Sequence, residues 1–254
     1  MDLRYTFDSD SMNYDLIRPD YPNQLYVDIA DYSGVNSLSD CLEIGCATGQ
    51  ATKPLLDKGM NVTSIDIGKN LCSYIAEKFR EYDNFNVINA DFMDYQFKEE
   101  RFELVFSATA FHWLPDEAYR KVKTLLKQDG TFVLFWNRPY PNRLDDESNL
   151  INREVYRKYR PDSICPEEFE EKDLEKIIIK LDEYGFGNIE TKIYHRVRRL
   201  SSTDYIKLLN TYSDHIALPR EIKERFEDDM KEKLDSIGGY INIYDTIDMY
   251  LAKR

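Results

Sequence analysis

Up to about residue 140 the chain alternates short apolar runs with longer stretches whose apolar residues recur every three or four positions. The short runs predict strands buried on both faces, and the spaced positions predict helices with one buried face. The strand-like runs are residues 41–44, 62–65, 85–88, 103–106 and 131–136. Between them, Leu71, Ile75 and Phe79 mark one helix face. Ala118, Val122, Leu125 and Leu126 mark another, which Gly130 is placed to stop. Such alternation predicts a parallel sheet covered by helices on both faces, the α/β class.

The pattern changes after about residue 139. Pro139, Pro141, Pro161 and Pro166 break the next stretch, which reads as an excursion from the sheet and not as one regular element. A helix follows with Leu174, Ile177, Ile178, Leu181 and Tyr184 on one face, and Gly185 ends it. Period-two alternation then places Ile189, Thr191, Ile193, His195 and Val197 on one side of a strand, where His195 reads as structural. Ile241, Ile243, Ile247, Met249 and Leu251 do the same near the C-terminus. About 40 residues of helical pattern lie between these strands, with Ser201 or Ser202 capping one helix and Pro219 starting another through Ile222, Phe226, Met230 and Leu234.

At 254 residues, with 42% hydrophobic and 32% charged residues, the composition is that of a folded globular chain and excludes disorder, collagen-like repeats and coiled coil. No apolar run approaches the ~18 residues of a membrane span, and the first residues carry no basic region followed by an apolar one, so a cytoplasmic location is expected and no membrane partner. The net charge of -13 disfavours a nucleic-acid partner. The one dense basic run, Arg196, Arg198 and Arg199, reads as a solvated strand edge. Cysteines at 41, 46, 72 and 165 have neither C-x-x-C spacing nor paired histidines, which predicts reduced thiols and no metal.

Candidate chemistry gathers where the first strand runs into Glu43-Ile44-Gly45-Cys46-Ala47-Thr48-Gly49 and a helix. Glycines there let a ligand approach the backbone, and the N–H groups of a helix start attract polar or negative groups. Ala47 interrupts the dinucleotide pattern G-x-G-x-x-G. Asp66 closes the second strand, where a carboxylate can accept both hydroxyls of a ribose. Asp91 closes the third, where it can accept an adenine amino group while the Phe92 N–H donates to the ring. All three converge on the crevice at the carboxyl ends of the strands, where open α/β sheets bind ligands.

Together, LEIGCATGQAT (42–52), TSIDIGKNL (63–71), NADFMDY (89–95), FELVFSATAFHWL (102–114) and LLKQDGTFVLFWN (125–137) resemble the class I S-adenosylmethionine-dependent methyltransferases. The resemblance is to the small-molecule branch that includes trans-aconitate and ubiquinone/menaquinone-type enzymes, and it extends to YDLIRPDYP (14–22). It implies a Rossmann-like seven-stranded mixed sheet with the last strand antiparallel, helices on both faces, and a helical cap formed by insertions. It also implies S-adenosylmethionine as cofactor, S-adenosylhomocysteine as product and a small-molecule methyl acceptor. Carried onto these positions, Glu43, Gly45, Ala47 and Gly49 form the methionine turn, Asp66 holds ribose, and Asp91 and Phe92 hold adenine. Ser107 and Ala108 end the fourth strand beside the cofactor, Arg18 pairs with its carboxylate, and Tyr14 lies over its sulfonium side. The chain reads as a single domain over 1–254, with a cofactor core at 1–138 and substrate-cap insertions at 139–166 and 201–239 that roof a pocket with Tyr140, Tyr156, Tyr205 and Tyr212.

Methyl transfer asks the protein mainly for alignment in a dry pocket, because a sulfonium already activates the methyl group. Pocket walls are expected from Phe111, His112 and Trp113 after the fourth strand, from Trp136, Asn137 and Arg138 at the end of the fifth, and from Tyr212, Asp214 and His215 in the insertion. His112 is the candidate general base, with packing as its alternative role. Two other functions use the same glycine turn: a nicotinamide-dependent oxidoreductase, and an S-adenosylmethionine-binding protein without catalysis.

Overall fold

The computed structural model describes residue 8 and residues 11–161 and 167–254; Cys165 and Pro166, the last cysteine and the end of the first expected insertion, lie outside them. Strands β1 (Asp40–Ile44), β2 (Asn61–Asp66), β3 (Phe85–Asn89), β4 (Phe102–Ala108), β5 (Leu126–Tyr140), β6 (Gly187–Ser201) and β7 (Tyr240–Lys253) form one sheet in the order β3-β2-β1-β4-β5-β7-β6. β1 to β5 run parallel, and β7 is antiparallel to both β5 and β6. The chain reverses its direction of travel across the sheet between β1 and β4. The connections leaving their carboxyl ends therefore run to opposite faces of the sheet and leave a crevice.

Two apolar layers sandwich the sheet. On one face Leu25 and Ile29 of α2 (Asn23–Ser33), Leu55 of α3 (Thr52–Asp57) and Ile75 of α4 (Lys69–Lys78) pack on Leu104, Phe106, Val133 and Ile247. On the other, Val122 and Leu125 of α5 (Glu117–Leu125) and Leu181 of α6 (Glu175–Glu183) pack on Val105, Phe132 and Tyr250. A third cluster joins Val155 of α7 (Glu147–Tyr159), Tyr205 and Leu208 of α8 (Ser202–Leu209) and Phe226, Met230 and Leu234 of α9 (Arg220–Ser236) to Ile241 and Ile243 of β7. A short helix, α10 (Ser213–Ile216), links α8 to α9, and α1 (Ser11–Ile17) precedes α2. Among the described residues no helix is long and apolar enough to cross a membrane.

Several local expectations are corrected. α5 ends at Leu125, and Gly130 lies inside β5; Asp129, at φ 64°, makes the turn where β5 bulges between Leu126 and Thr131. The excursion after Pro139 holds the 13-residue helix α7, whose N-cap Asp146 accepts from the Ser148 and Asn149 N–H groups. Ser201 caps α8 by accepting from the Asp204 N–H, while Ile222 on α9 is exposed. Arg196 and Arg198 are no solvated edge: both bond the buried Asp245, which interrupts the apolar row of β7. Arg199 lies over the Tyr240 ring. His195 and Val197 are exposed, and among the described residues β6 is an edge strand paired by β7 alone. Cys41, Cys46 and Cys72 are buried free thiols.

Candidate active site

The turn after β1 is built for close approach. Gly45, Ala47 and Gly49 have φ of 76°, 45° and 85°. A Cβ on Gly45 would fall 2.4 Å from the Ala110 Cβ, so the two loops at the β1 and β4 ends touch only because position 45 has no side chain. Asp66 ties the turn down: its Oδ2 accepts from the Ala47 N–H at 3.0 Å and its Oδ1 from the Gly68 N–H at 2.8 Å. Each oxygen keeps a second lone pair, and burial raises the Asp66 pKa.

A cavity of about 680 Å³ runs along these strand ends. Gly45, Ala47, Asp66, Asp91 and Phe92 line one end, and His112, Trp113, Trp136, Asn137 and Arg138 line the other. Asp91 Oδ1 accepts from the Met93 N–H at 2.8 Å. Glu43 lines the floor at 1% exposure; its Oε2 accepts from Thr52 and from Ser64 Oγ at 2.9 Å, while its Oε1 is buried without a partner. Burial lifts this carboxyl from 4.5 to about 7.

The roof comes from α1 and the insertion. Asp15 on α1 bonds Lys78 and Tyr74 of α4, and Asn13 donates to the Lys207 carbonyl of α8, so α1 bridges the crevice. Behind it the Arg18 guanidinium sits between the rings of Tyr14 and Tyr212, 4.9 and 4.6 Å from their centroids, and donates to the Thr211 carbonyl at 2.7 Å. The Arg18 Nε is buried without a partner. Tyr14, Arg18, Tyr212 and Asp214 all reach the cavity.

Four candidates lie outside the wall. Gly49 backs onto the Phe79 ring, which a Cβ would meet at 2.5 Å. Ser107 is buried, and its Oγ donates to the Ile44 carbonyl at 2.7 Å, joining β4 to β1. Phe111 points into the core against Tyr119 and Phe132, because the 3-10 turn Phe111–Trp113 puts neighbouring side chains about 120° apart. His215 is buried in the cap core, where its Nε2 meets Tyr156 Oη at 2.7 Å and Arg160 at 2.9 Å; burial holds it neutral. The insertions also contribute less roof than expected. α7 packs on α9, Tyr156 and Tyr205 turn into the cap core, and only Pro139 and the Tyr212–Asp214 turn reach the cavity from the described parts of the two segments.

Other wall residues were not among the candidates. Tyr21 Oη and Thr109 Oγ1 lie 2.8 Å apart, and Thr109 holds φ 55°, a strained value for a β-branched residue that turns the chain over Gly45. Glu167, Glu168, Phe169 and Asp173 come from the segment just beyond the first insertion. Beneath the wall, Asp248 of β7 is fully buried and takes two bonds from Arg138, at 2.9 and 3.2 Å. Asn137 donates to Asp245 and accepts from Arg196, each at 3.2 Å. The sequence signal was an acid within an apolar strand face, beside a strand carrying arginines two residues apart.

Residues 42–134 match the methyltransferase domain family. An uncharacterized methyltransferase of Schizosaccharomyces pombe is 25% identical over 236 residues, covering 91% of this chain and 88% of its own. A ribosomal RNA small subunit methyltransferase A of Clostridium botulinum is 23% identical over 65% of this chain and 64% of its own. Among solved structures, phosphoethanolamine N-methyltransferase 2 of Haemonchus contortus, bound to phosphomonomethylethanolamine and S-adenosylhomocysteine, superposes with a TM-score of 0.58 at 16% identity; this chain, covered completely, spans 60% of that enzyme. The partnerless Glu43 Oε1, the close glycine turn and the paired strand-end acids fit the polar groups of S-adenosylmethionine. Residues 42–134 are thus a methyltransferase domain, set in a sheet whose fold this chain shares with an S-adenosylhomocysteine-bound methyltransferase.

Proposed function

We propose that the enzyme methylates a small organic molecule held at the His112, Trp136 and Arg138 end of the cavity. The observation that carries this reading is one continuous cavity of about 680 Å³, with the glycine turn and strand-end acids at one end and an aromatic, roofed compartment at the other. That volume suits a cofactor and a small acceptor side by side, within the ~300–1,000 Å³ of ordinary ligand pockets. Bound S-adenosylmethionine supplies an activated methyl group on sulfur. Asp66 would take the ribose hydroxyls, Asp91 and Phe92 the adenine, and Glu43 Oε1 and the Arg18 Nε–H the charged methionine end. Tyr14, Arg18 and Tyr212 would exclude water from the acceptor compartment.

Incubation with methyl-labelled S-adenosylmethionine and a cell extract split into small molecules, protein and RNA tests this. Label is expected in the small-molecule fraction. Label in RNA, the acceptor of the Clostridium botulinum relative, overturns the reading.

A further inference from the structure

The Trp136 indole N–H donates to His112 Nδ1 at 3.1 Å. An indole nitrogen has one hydrogen and no available lone pair, so this bond requires a lone pair on Nδ1. The neutral imidazole then carries its single hydrogen on Nε2. Adding a proton would place it on Nδ1, against the indole N–H. Trp136 has little freedom to turn away. It is buried on β5, with its ring edge-on to Tyr250 at 5.8 Å and the Arg138 guanidinium 5.2 Å from its centroid.

The charges around this pair reinforce the neutral state. Arg138, on the same strand, is the cation beside His112, and the burial of the ring together with that cation lowers its pKa. Acids also line this cavity, but several are engaged elsewhere: Glu168 with Arg143, Asp214 with Arg160, and Asp173 with the Glu170 N–H. Glu167 completes the acidic rim. His112 is exposed, and its imidazole opens to the cavity.

We propose that Trp136 holds His112 as a neutral Nε2–H donor facing the acceptor, so that His112 orients the acceptor through an oxygen lone pair and takes no proton from it. This rests on the small-molecule reading above for the identity of the acceptor alone. A hydrogen bond donated to the attacking atom would lower its nucleophilicity, so the proposal places His112 on an oxygen other than the nucleophile. The acceptor therefore carries two functions: a nucleophile that is unprotonated without help from His112, and a neighbouring oxygen that accepts a hydrogen bond. Trp136 acts through His112 as a positioning residue.

Nitrogen NMR of the whole protein labelled at histidine tests the assignment directly. The chain has three histidines, and the His112 signals are those lost in His112→Gln. A single Nε2-protonated tautomer is expected across neutral pH, with no titration at the ordinary midpoint of ~6.5. Trp136→Phe should turn this into a mixture of tautomers and raise the midpoint. An Nδ1-protonated tautomer in the wild type, or an ordinary midpoint that Trp136→Phe leaves unchanged, overturns the proposal. Transfer to the small-molecule extract fraction supplies a second readout. His112→Gln, which keeps an N–H donor, should lose less than tenfold, and His112→Leu more than tenfold through KM, both with the wild-type pH profile. A wild-type rate that rises through the His112 midpoint and loses that rise in His112→Gln would make it a base and refute the proposal. If the small-molecule fraction takes no methyl group, the acceptor reading fails while the spectra still decide the state of His112.

Discussion

Glu43→Gln isolates what the cavity floor costs the fold. Glu43 is 1% exposed, with Oε2 bonded to Thr52 and Ser64 and Oε1 unpartnered. Burial is the main cause of its rise from 4.5 to about 7; the two hydroxyl bonds oppose it and the nearby Asp66 adds to it. Between these values the folded state binds more protons than the unfolded one, so stability falls as pH rises. The cost is absent below about pH 4.5 and complete above about pH 7, where it amounts to about 3 kcal/mol. Glutamine does not ionise, and its carbonyl oxygen can accept both hydroxyl bonds. Urea unfolding from pH 4.5 to 8 should therefore show the variant gaining about 3 kcal/mol on the wild type across that range, with unchanged m-values. If Oε1 receives the ammonium of the cofactor, binding pulls the carboxyl pKa down. Calorimetry near pH 7 in buffers of different ionisation heat then shows protons released by the wild type and none by Glu43→Gln. Parallel pH-stability curves for the two proteins would refute the burial argument, whatever the binding result.

Gly45→Ala places a Cβ 2.4 Å from the Ala110 Cβ at a φ of 76°, so it should abolish S-adenosylmethionine binding in equilibrium dialysis and lower the melting temperature. Asp66→Ala frees the Ala47 and Gly68 N–H groups as well as any ribose contact; a loss of about 1–3 kcal/mol in cofactor affinity is expected, and unchanged affinity in a folded variant would remove Asp66 from the site. Asp245→Leu leaves Arg196 and Arg198 without their shared carboxylate and should cost about 3–5 kcal/mol in chemical denaturation, whereas a loss below 1 kcal/mol would show the arginines finding water instead.

What could be read from the sequence follows from how local each signal is. Strand, glycine turn and helix, and acids at the ends of β2 and β3, are written in adjacent residues, so the crevice could be placed without knowing the sheet order. Phe111 and His112 are consecutive, yet one enters the core and the other the cavity, and only the 3-10 turn between β4 and α5 decides which. The pairing of Asp245 with Arg196 and Arg198 crosses two strands 47 and 49 residues apart, a distance over which periodicity carries no information. Helix α7 was hidden because prolines on both sides suggested a broken segment, when they only bound it. Gly130 looked like a helix stop because glycine serves both helix ends and bulges, and here the bulge won.

The position of β7 bears on how the molecule comes into being. Among the described residues it follows every other strand, yet it lies between β5 and β6, and β6 has no other neighbour in the sheet. On a ribosome, the cofactor half can therefore assemble around β1 to β5 while β5 still shows a bare edge and β6 waits unpaired. A stop codon just before Tyr240 would be as damaging as one far upstream, since it strands both neighbours at once. The same arrangement makes the enzyme divisible: a fragment ending before Tyr240 offers a slot with two strand edges, which a separately supplied β7 segment could fill to restore the sheet.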